Sequence, residues 1–179
     1  MESQNKKLTV PFVDLKVQTG QLRKDLISAI EKTFDQSVFI AGETVERFEA
    51  DFCALVQAKH CVTCANGTDG LEIALEALGV GAGDEVLVPA LTWISSASAV
   101  VRVGAKPVFV EVDSAYYTND PVDAQAKITP GTKAIMPVHL YGLAADMTAI
   151  MEFARRNKVK VIEDCAQAPL ALLDGQQEG

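Results

Sequence analysis

The chain has 179 residues, of which 49% are hydrophobic, and it carries a formal net charge of −8. This length and composition fit one globular core. The acidic balance, without a cluster of Lys and Arg, argues against binding to nucleic acid or to an anionic membrane surface. No apolar run reaches the length of about 20 residues that a membrane span needs. The first residues lack the apolar core of a signal peptide, so a cytoplasmic location is expected.

Helical and strand patterns alternate along the chain. Apolar residues at helical spacing predict helices at 18–36 and 44–56. The later patterns predict, in order, a strand at 60–64, a helix at 68–78, a strand at 85–88, a helix at 94–102, strands at 107–110 and 133–137, a helix at 146–157 and a last strand at 159–163. Asp120 and Pro121 open a further short helix, and Asp146 caps the helix that follows it. Strands separated by helices indicate an α/β fold with a mainly parallel sheet flanked by helices.

The four cysteines do not form the pattern of a disulfide framework. Cys61 and Cys64 have the spacing of a redox or zinc pair, but they fall in a segment that we predict to be a short buried strand. Residues three apart on a strand face opposite sides of the sheet, so the two thiols diverge. No second pair or suitably spaced His completes a zinc set, and no metal site is predicted.

Two glycine clusters have different expected roles. Gly79, Gly81 and Gly83 follow a helix and precede a strand, which predicts a helix end and a turn and not a dinucleotide loop. Gly67 and Thr68 lie in the order that a phosphate site requires, after a strand and at the start of a helix. Gly67 lets the backbone approach an anion, and the helix dipole favours phosphate beside Thr68. The alternative is a helix cap without a ligand.

The carboxyl end of the last predicted strand carries a carboxylate at Asp164. Because burial of a charge costs several kcal/mol unless a cation or strong donors compensate it, Asp164 needs a positive partner. A protonated ring nitrogen of a cofactor would meet that need; an acidic helix cap or a solvated turn is the alternative. Trp93, just past another strand end, suits a ring that stacks on a flat cofactor, or else a core position. Together, Gly67, Asp164 and Trp93 outline a site for a phosphorylated pyridine.

The order of motifs resembles the N-terminal part of the DegT/DnrJ/EryC1/StrS family of pyridoxal-phosphate enzymes, the nucleotide-sugar aminotransferases. The motifs include Asn66-Gly67-Thr68-Asp69, Pro137-Val138-His139-Leu140-Tyr141-Gly142 and Glu163-Asp164-Cys165-Ala166-Gln167-Ala168, with further matches at 10–15, 39–49, 89–93, 104–109 and 145–147. The resemblance implies the large domain of a fold-type I aminotransferase. It also implies that residues 1–179 are the N-terminal portion of that domain, without its remaining strands and the small C-terminal domain.

The resemblance assigns roles to five residues. Asp164 is the catalytic aspartate that binds the pyridine nitrogen, and Gly67 and Thr68 belong to the phosphate loop. Trp93 stacks on the ring, and Gln167 reaches the phenolic oxygen of the cofactor. The cofactor is pyridoxal 5'-phosphate, and the partners are a nucleotide-linked keto-sugar, an amino donor such as glutamate, and a second copy of the protein in a homodimer.

The chain also departs from the family pattern. The Schiff-base lysine of the family lies beyond the aspartate, and no lysine follows Lys160 here. We therefore expect the 179-residue chain alone to lack transaminase activity. Pro169 and Leu170 stand where the family usually has a small residue or His and then Gly. The alternatives are a sugar dehydratase of the same family, in which His replaces the lysine, and a non-catalytic binding or regulatory fragment.

Overall fold

Six α-helices and six β-strands occur in residues 10–173 and 176–177, the part of the chain that the computed structural model describes. The helices are α1 (Lys16–Gln36), α2 (Glu43–Val56), α3 (Gly67–Ala77), α4 (Ile94–Arg102), α5 (Pro121–Lys127) and α6 (Met147–Asn157). The strands are β1 (Glu85–Pro89), β2 (Lys106–Val110), β3 (Thr132–Ile135), β4 (Lys160–Val161), β5 (Leu172–Leu173) and β6 (Gln176–Gln177). The chain divides into two compact units between Arg47 and Phe48. None of the described helices combines the length and the apolar character that a bilayer crossing requires.

The first unit contains α1, and the predicted helix at 18–36 is confirmed. The α1 helix ends at Ser37, which adopts a left-handed conformation and donates its backbone N–H to the carbonyl oxygen of Phe34. None of the residues of α1 is buried. The apolar side chains whose spacing predicted the helix are therefore exposed in the structure. The ring of Phe34 packs edge-on against the ring of Phe39, with 5.7 Å between the ring centroids.

The second unit is built on a four-stranded parallel sheet with the strand order β2-β1-β3-β4. Leu87 in the central strand β1 pairs with Val108 of β2 on one side and with Ile135 of β3 on the other. A helix connects each strand to the next along the chain, so that α4, α5 and α6 follow β1, β2 and β3. The predicted α/β fold with a parallel sheet is thereby confirmed.

Alternating strand residues serve two core layers, one on each face of the sheet. Val86 and Val88 pack with α3 and α4, whereas Leu87 between them packs with the α5 and α6 side. The first layer also includes Leu71, Leu75, Ala99, Val100, Met136 and Ile162, and the second includes Ala124, Ile135, Met147, Ile150 and Phe153. Because side chains in a strand point alternately to opposite faces, burial of both layers fixes the register of the strands.

The ends of three helices match their predicted signals. The carboxylate of Asp120 accepts the backbone N–H of Val122, and that of Asp146 accepts the N–H of Ala149. Gly79 follows α3 with a φ of +73° and closes the helix end, as predicted for the first glycine of its cluster. A left-handed conformation of this kind is inexpensive only for glycine.

The predicted strand at 60–64 is wrong. This segment is irregular and mostly exposed, and in residues 10–173 and 176–177 no strand pairs with it. A strand needs a backbone partner, and here Thr63 donates both its N–H and its hydroxyl to the carboxylate of Glu49, each at 2.8 Å. Cys61 is half-buried and Cys64 is exposed, and both are free thiols. Their predicted placement in a buried strand is therefore wrong as well.

The end of the described chain also differs from the prediction. The strand predicted at 159–163 covers only Lys160–Val161, and it is not the last, because β5 and β6 form a small antiparallel pair after it. Leu170, where the resemblance noted in the sequence leads us to expect Gly, has a φ of +67°. The left-handed region costs an ordinary L-residue about 1–2 kcal/mol. The departure noted in the sequence thus coincides with a backbone conformation that glycine adopts more easily.

The left-handed conformation of Leu170 predicts that a glycine variant at this position is more stable than an alanine variant. Leu170→Gly and Leu170→Ala both remove the side chain, but only glycine accepts the positive φ without strain. We expect Leu170→Gly to be more stable than Leu170→Ala by about 1 kcal/mol in urea titrations. The same two substitutions at Leu172, in β5, should give the opposite order, since glycine weakens a strand. Equal stability of the two Leu170 variants would contradict the left-handed conformation.

The contact between Glu49 and Thr63 predicts a pH dependence. Hydrogen bonds from the backbone N–H and then the hydroxyl of Thr63 lower the pKa of Glu49 below its usual value. The contact is therefore complete above the pKa of an unfolded-chain glutamate and is lost as the pH falls through the lowered pKa. Hydrogen exchange of the Thr63 amide, corrected for its intrinsic rate, should show this loss. Glu49→Gln should lower the protection at neutral pH, whereas Glu46→Gln, at an exposed position of α2, should leave it unchanged.

Candidate functional site

Asp164 lies just beyond β4, at the carboxyl edge of the sheet. Its backbone N–H donates to the carbonyl oxygen of Pro137 at 2.9 Å, and its own carbonyl oxygen accepts the N–H of His139 at 3.1 Å. An isolated parallel bridge between Val138 and Asp164 thus extends the pairing of β3 and β4. The residue is 8% exposed. The alternative of a solvated turn at Asp164 is excluded by this burial.

The carboxylate of Asp164 accepts hydrogen bonds from two directions. The hydroxyl of Ser96, in the first turn of α4, donates to Oδ2 at 2.8 Å, and the backbone N–H of Ala166 donates to Oδ1 at 3.2 Å. The hydroxyl of Thr92 lies 2.9 Å from that of Ser96. Because Ser96 gives its proton to Asp164, Thr92 must be the donor to Ser96. The hydroxyl protons of both residues therefore point along one chain toward the carboxylate.

The negative charge of Asp164 has no cationic partner in the described residues, since neither Lys, Arg nor His forms an ion pair with it. Two neutral donors satisfy only part of a carboxylate, which has about four acceptor positions. Desolvation of such a group costs several kcal/mol, and a nearby cation would recover much of it. The donor set of Asp164 therefore fits a bound cation with one N–H, such as a protonated pyridine nitrogen.

The start of α3 forms the second part of the site. Asn66 caps this helix by accepting the N–H of Asp69 at 3.1 Å, so the cap expected as the alternative is present. The cap leaves the amides of Gly67 and Thr68 in the first turn, where the partial positive charge of the helix lies. A Cβ atom built on Gly67 would meet nothing within 4 Å, so the packing of the protein itself does not require glycine there.

A cavity of about 410 Å³ brings the two parts together. Its lining includes Gly67 and Gly70 of α3 together with Asp164 and Ala166 beyond β4. The carboxyl ends of parallel strands meet at one edge of a sheet, where open α/β folds bind their ligands. The predicted proximity of Gly67 and Asp164 is thus present in the structure.

Trp93 and Gln167 lie at the same edge but do not line this cavity. Trp93 is the N-cap residue of α4 and is 70% exposed, so the alternative of a core position is excluded. Gln167 is exposed, and its Oε1 accepts the backbone N–H of Tyr141 at 3.0 Å. Tyr141 has a φ of +57°, an uncommon conformation for a bulky residue. Since Oε1 is engaged, the amide group of Gln167 has its two N–H donors left for another partner.

A second cluster of polar side chains combines His139, Glu163 and Cys165, whose ligand-type atoms lie within 4.8 Å of one another. Such a set could hold a metal ion. However, Nδ1 of His139 accepts the backbone N–H of Ala145 at 3.0 Å, so Nε2 carries the proton and donates it to Glu163 at 3.2 Å. Metal binding at Nε2 would require loss of that proton while Nδ1 remains an acceptor. The hydrogen bonds of His139 therefore favour a structural role in place of metal ligation.

Three polar residues of the site were not found from the sequence. Thr92 and Ser96 form the chain of hydroxyl groups that leads to Asp164. The local signal for this chain is that the two hydroxyl residues are four positions apart at the start of a helix that follows a strand. The Oδ1 of Asn119 accepts the N–H of Val138 at 3.2 Å and so supports the segment that pairs with Asp164. No sequence signal predicts that contact, because the two residues belong to different loops.

Comparison with known proteins adds a family match. A sequence model of the DegT/DnrJ/EryC1/StrS aminotransferase family matches residues 20–179. A UDP-N-acetyl-3-dehydro-alpha-D-glucosamine 3-aminotransferase from Acidithiobacillus ferrooxidans is 48% identical over 170 residues, which are 95% of this chain and 46% of that protein.

Two solved structures are also similar. DesV from S. venezuelae has a TM-score of 0.93 and 44% identity, covering 95% of this chain and 46% of that one. NtdA from Bacillus subtilis, with the bound cofactor PMP, has a TM-score of 0.88 and 34% identity, covering 95% of this chain and 39% of that one. The chain thus spans about half the length, or less, of the relatives that it matches.

Proposed function

Because the chain belongs to the DegT/DnrJ/EryC1/StrS aminotransferase family, we propose that the whole protein is a pyridoxal-phosphate-dependent aminotransferase that aminates a nucleotide-linked keto-sugar. The amino donor in this proposal is glutamate. The homodimer and the cytoplasmic location remain predictions from the sequence. The observation that carries the proposal is the buried carboxylate of Asp164, which shares a cavity with the start of α3 and lacks a cationic partner in the described residues.

Asp164 holds a proton on the ring nitrogen in this proposal. A carboxylate beside a pyridine nitrogen favours the protonated ring, because the opposite charges attract and the carboxylate of Asp164 is buried. When bound, pyridoxal phosphate supplies an electron sink for negative charge that develops on the substrate, and protonation of the ring strengthens that sink. The backbone of Asp164 is held by Pro137 and His139, which keeps the carboxylate in place.

In this proposal, the other residues of the site bind the cofactor and orient it. The amides of Gly67 and Thr68 bind the phosphate at the positive end of α3. Gln167 donates an N–H to the phenolic oxygen, since its Oε1 is already engaged by the N–H of Tyr141. The ring of Trp93, which is 70% exposed, would be free to stack on the cofactor ring. The lysine that forms the covalent link comes, in this proposal, from outside residues 1–179.

The nucleotide-sugar substrate is proposed from the relatives. The protein from A. ferrooxidans is named for an amino transfer at carbon 3 of a UDP-linked sugar. That protein shares 48% of its aligned residues with this chain, which supports a nucleotide-linked keto-sugar as the substrate class.

Asp164→Asn tests the proposal in the full-length protein. The amide has nearly the same shape but no negative charge, so the ring nitrogen would lose its ionic partner. We expect kcat for amino transfer from glutamate to a nucleotide-linked keto-sugar to fall by about 100-fold or more. Asp25→Asn, at an exposed position of α1, is the matched control and should leave kcat unchanged. A kcat for Asp164→Asn near that of the wild type would refute the role of Asp164.

A further inference from the structure

Two adjacent serines in the first turn of α4 have different partners. Ser95 accepts the hydroxyl proton of Thr68 at 2.8 Å, whereas Ser96 donates its own to Asp164 at 2.8 Å. Successive residues of an α-helix point about 100° apart around its axis. One helical turn therefore contacts both the start of α3 and the segment that follows β4.

These contacts connect the two parts of the candidate site. Ser96 is fully buried, and the hydroxyl of Thr92 supplies it with a donor, so its orientation toward Asp164 is fixed. Ser95 is half-buried and lies against Thr68. The core between α3 and α4 includes Leu71, Leu75, Ala99 and Val100, so both serines extend from a packed interface.

We propose that this first turn of α4 is a positioning element that sets the spacing between the phosphate end and the nitrogen end of the cofactor site. Ser96 holds the carboxylate of Asp164 toward the ring nitrogen. Ser95 accepts the hydroxyl proton of Thr68 and so fixes the start of α3, where the backbone amides of Gly67 and Thr68 would bind the phosphate. This inference rests on the proposed function. Neither serine touches the reacting atoms, and each acts through the residue to which it is hydrogen-bonded.

The test uses the full-length protein with pyridoxamine 5'-phosphate that carries 15N at the ring nitrogen. The 15N chemical shift reports whether that nitrogen is protonated. The ratio of the dissociation constants of pyridoxamine and pyridoxamine 5'-phosphate reports what the phosphate contributes to binding. The variants are Ser96→Ala, Ser95→Ala, the conservative Ser96→Thr, and the control Ser98→Ala on the same helix, all at one pH.

The two serines should affect different measurements. Ser96→Ala should move the 15N shift toward that of an unprotonated ring and leave the ratio unchanged, whereas Ser96→Thr, which keeps the hydroxyl, should retain the wild-type shift. Ser95→Ala should lower the ratio by about threefold to tenfold, as expected for one hydrogen bond, without moving the 15N shift. Ser98→Ala should change neither, because no hydrogen bond joins its side chain to Thr68 or Asp164 in the described residues.

Two results would overturn the inference. One is a wild-type 15N shift in Ser96→Ala. The other is an equal change in both measurements for Ser95→Ala and Ser96→Ala, which would mean that each variant merely loosens α4. Failure of the proposed function looks different: the wild-type protein itself would then fail to bind pyridoxamine 5'-phosphate, or would bind it with an unprotonated ring.

Discussion

The hydrogen bond between Ser96 and Asp164 is the interaction on which the candidate site depends. A carboxylate that is 8% exposed is costly to hold in the folded chain, and within residues 10–173 and 176–177 it accepts hydrogen bonds from two neutral donors. Because two donors leave the buried carboxylate of Asp164 partly unsatisfied, its surroundings indicate that a further partner binds there. In the proposed function, the protonated nitrogen of the bound cofactor is that partner.

The site is assembled from the ends of elements and not from neighbours in the sequence. The parallel sheet places the end of β4 close to the start of α4, and packing of α3 on α4 brings the capped start of α3 to the same edge. The start of α3 contributes backbone amides there, the start of α4 contributes serine hydroxyls, and the segment after β4 contributes a carboxylate. The apolar layers on both faces of the sheet hold these groups in place, so the core and the site share the same constraints.

The sequence predicted those features that local patterns determine. The helix at 94–102 and the caps Asp120 and Asp146 were correct because spacing and capping chemistry are local. The segment 60–64 has the composition of a strand but is irregular, because strand formation depends on a distant partner. Nor could the sequence show which of two adjacent serines faces Asp164, since that choice depends on how α4 is rotated against the sheet. The left-handed backbone at Leu170 likewise becomes visible only in three dimensions.

The separation of Ser96 and Asp164 along the chain, 68 residues, has a consequence for how the protein is made. At a translation rate of about 5–20 residues per second, the serine leaves the peptidyl transferase centre roughly 3–14 s before its acceptor. Three crossover connections must also close before the two can meet, and each closure costs chain entropy. During this interval Ser96 has been made but its acceptor has not, and the sheet still lacks its edge strand β4.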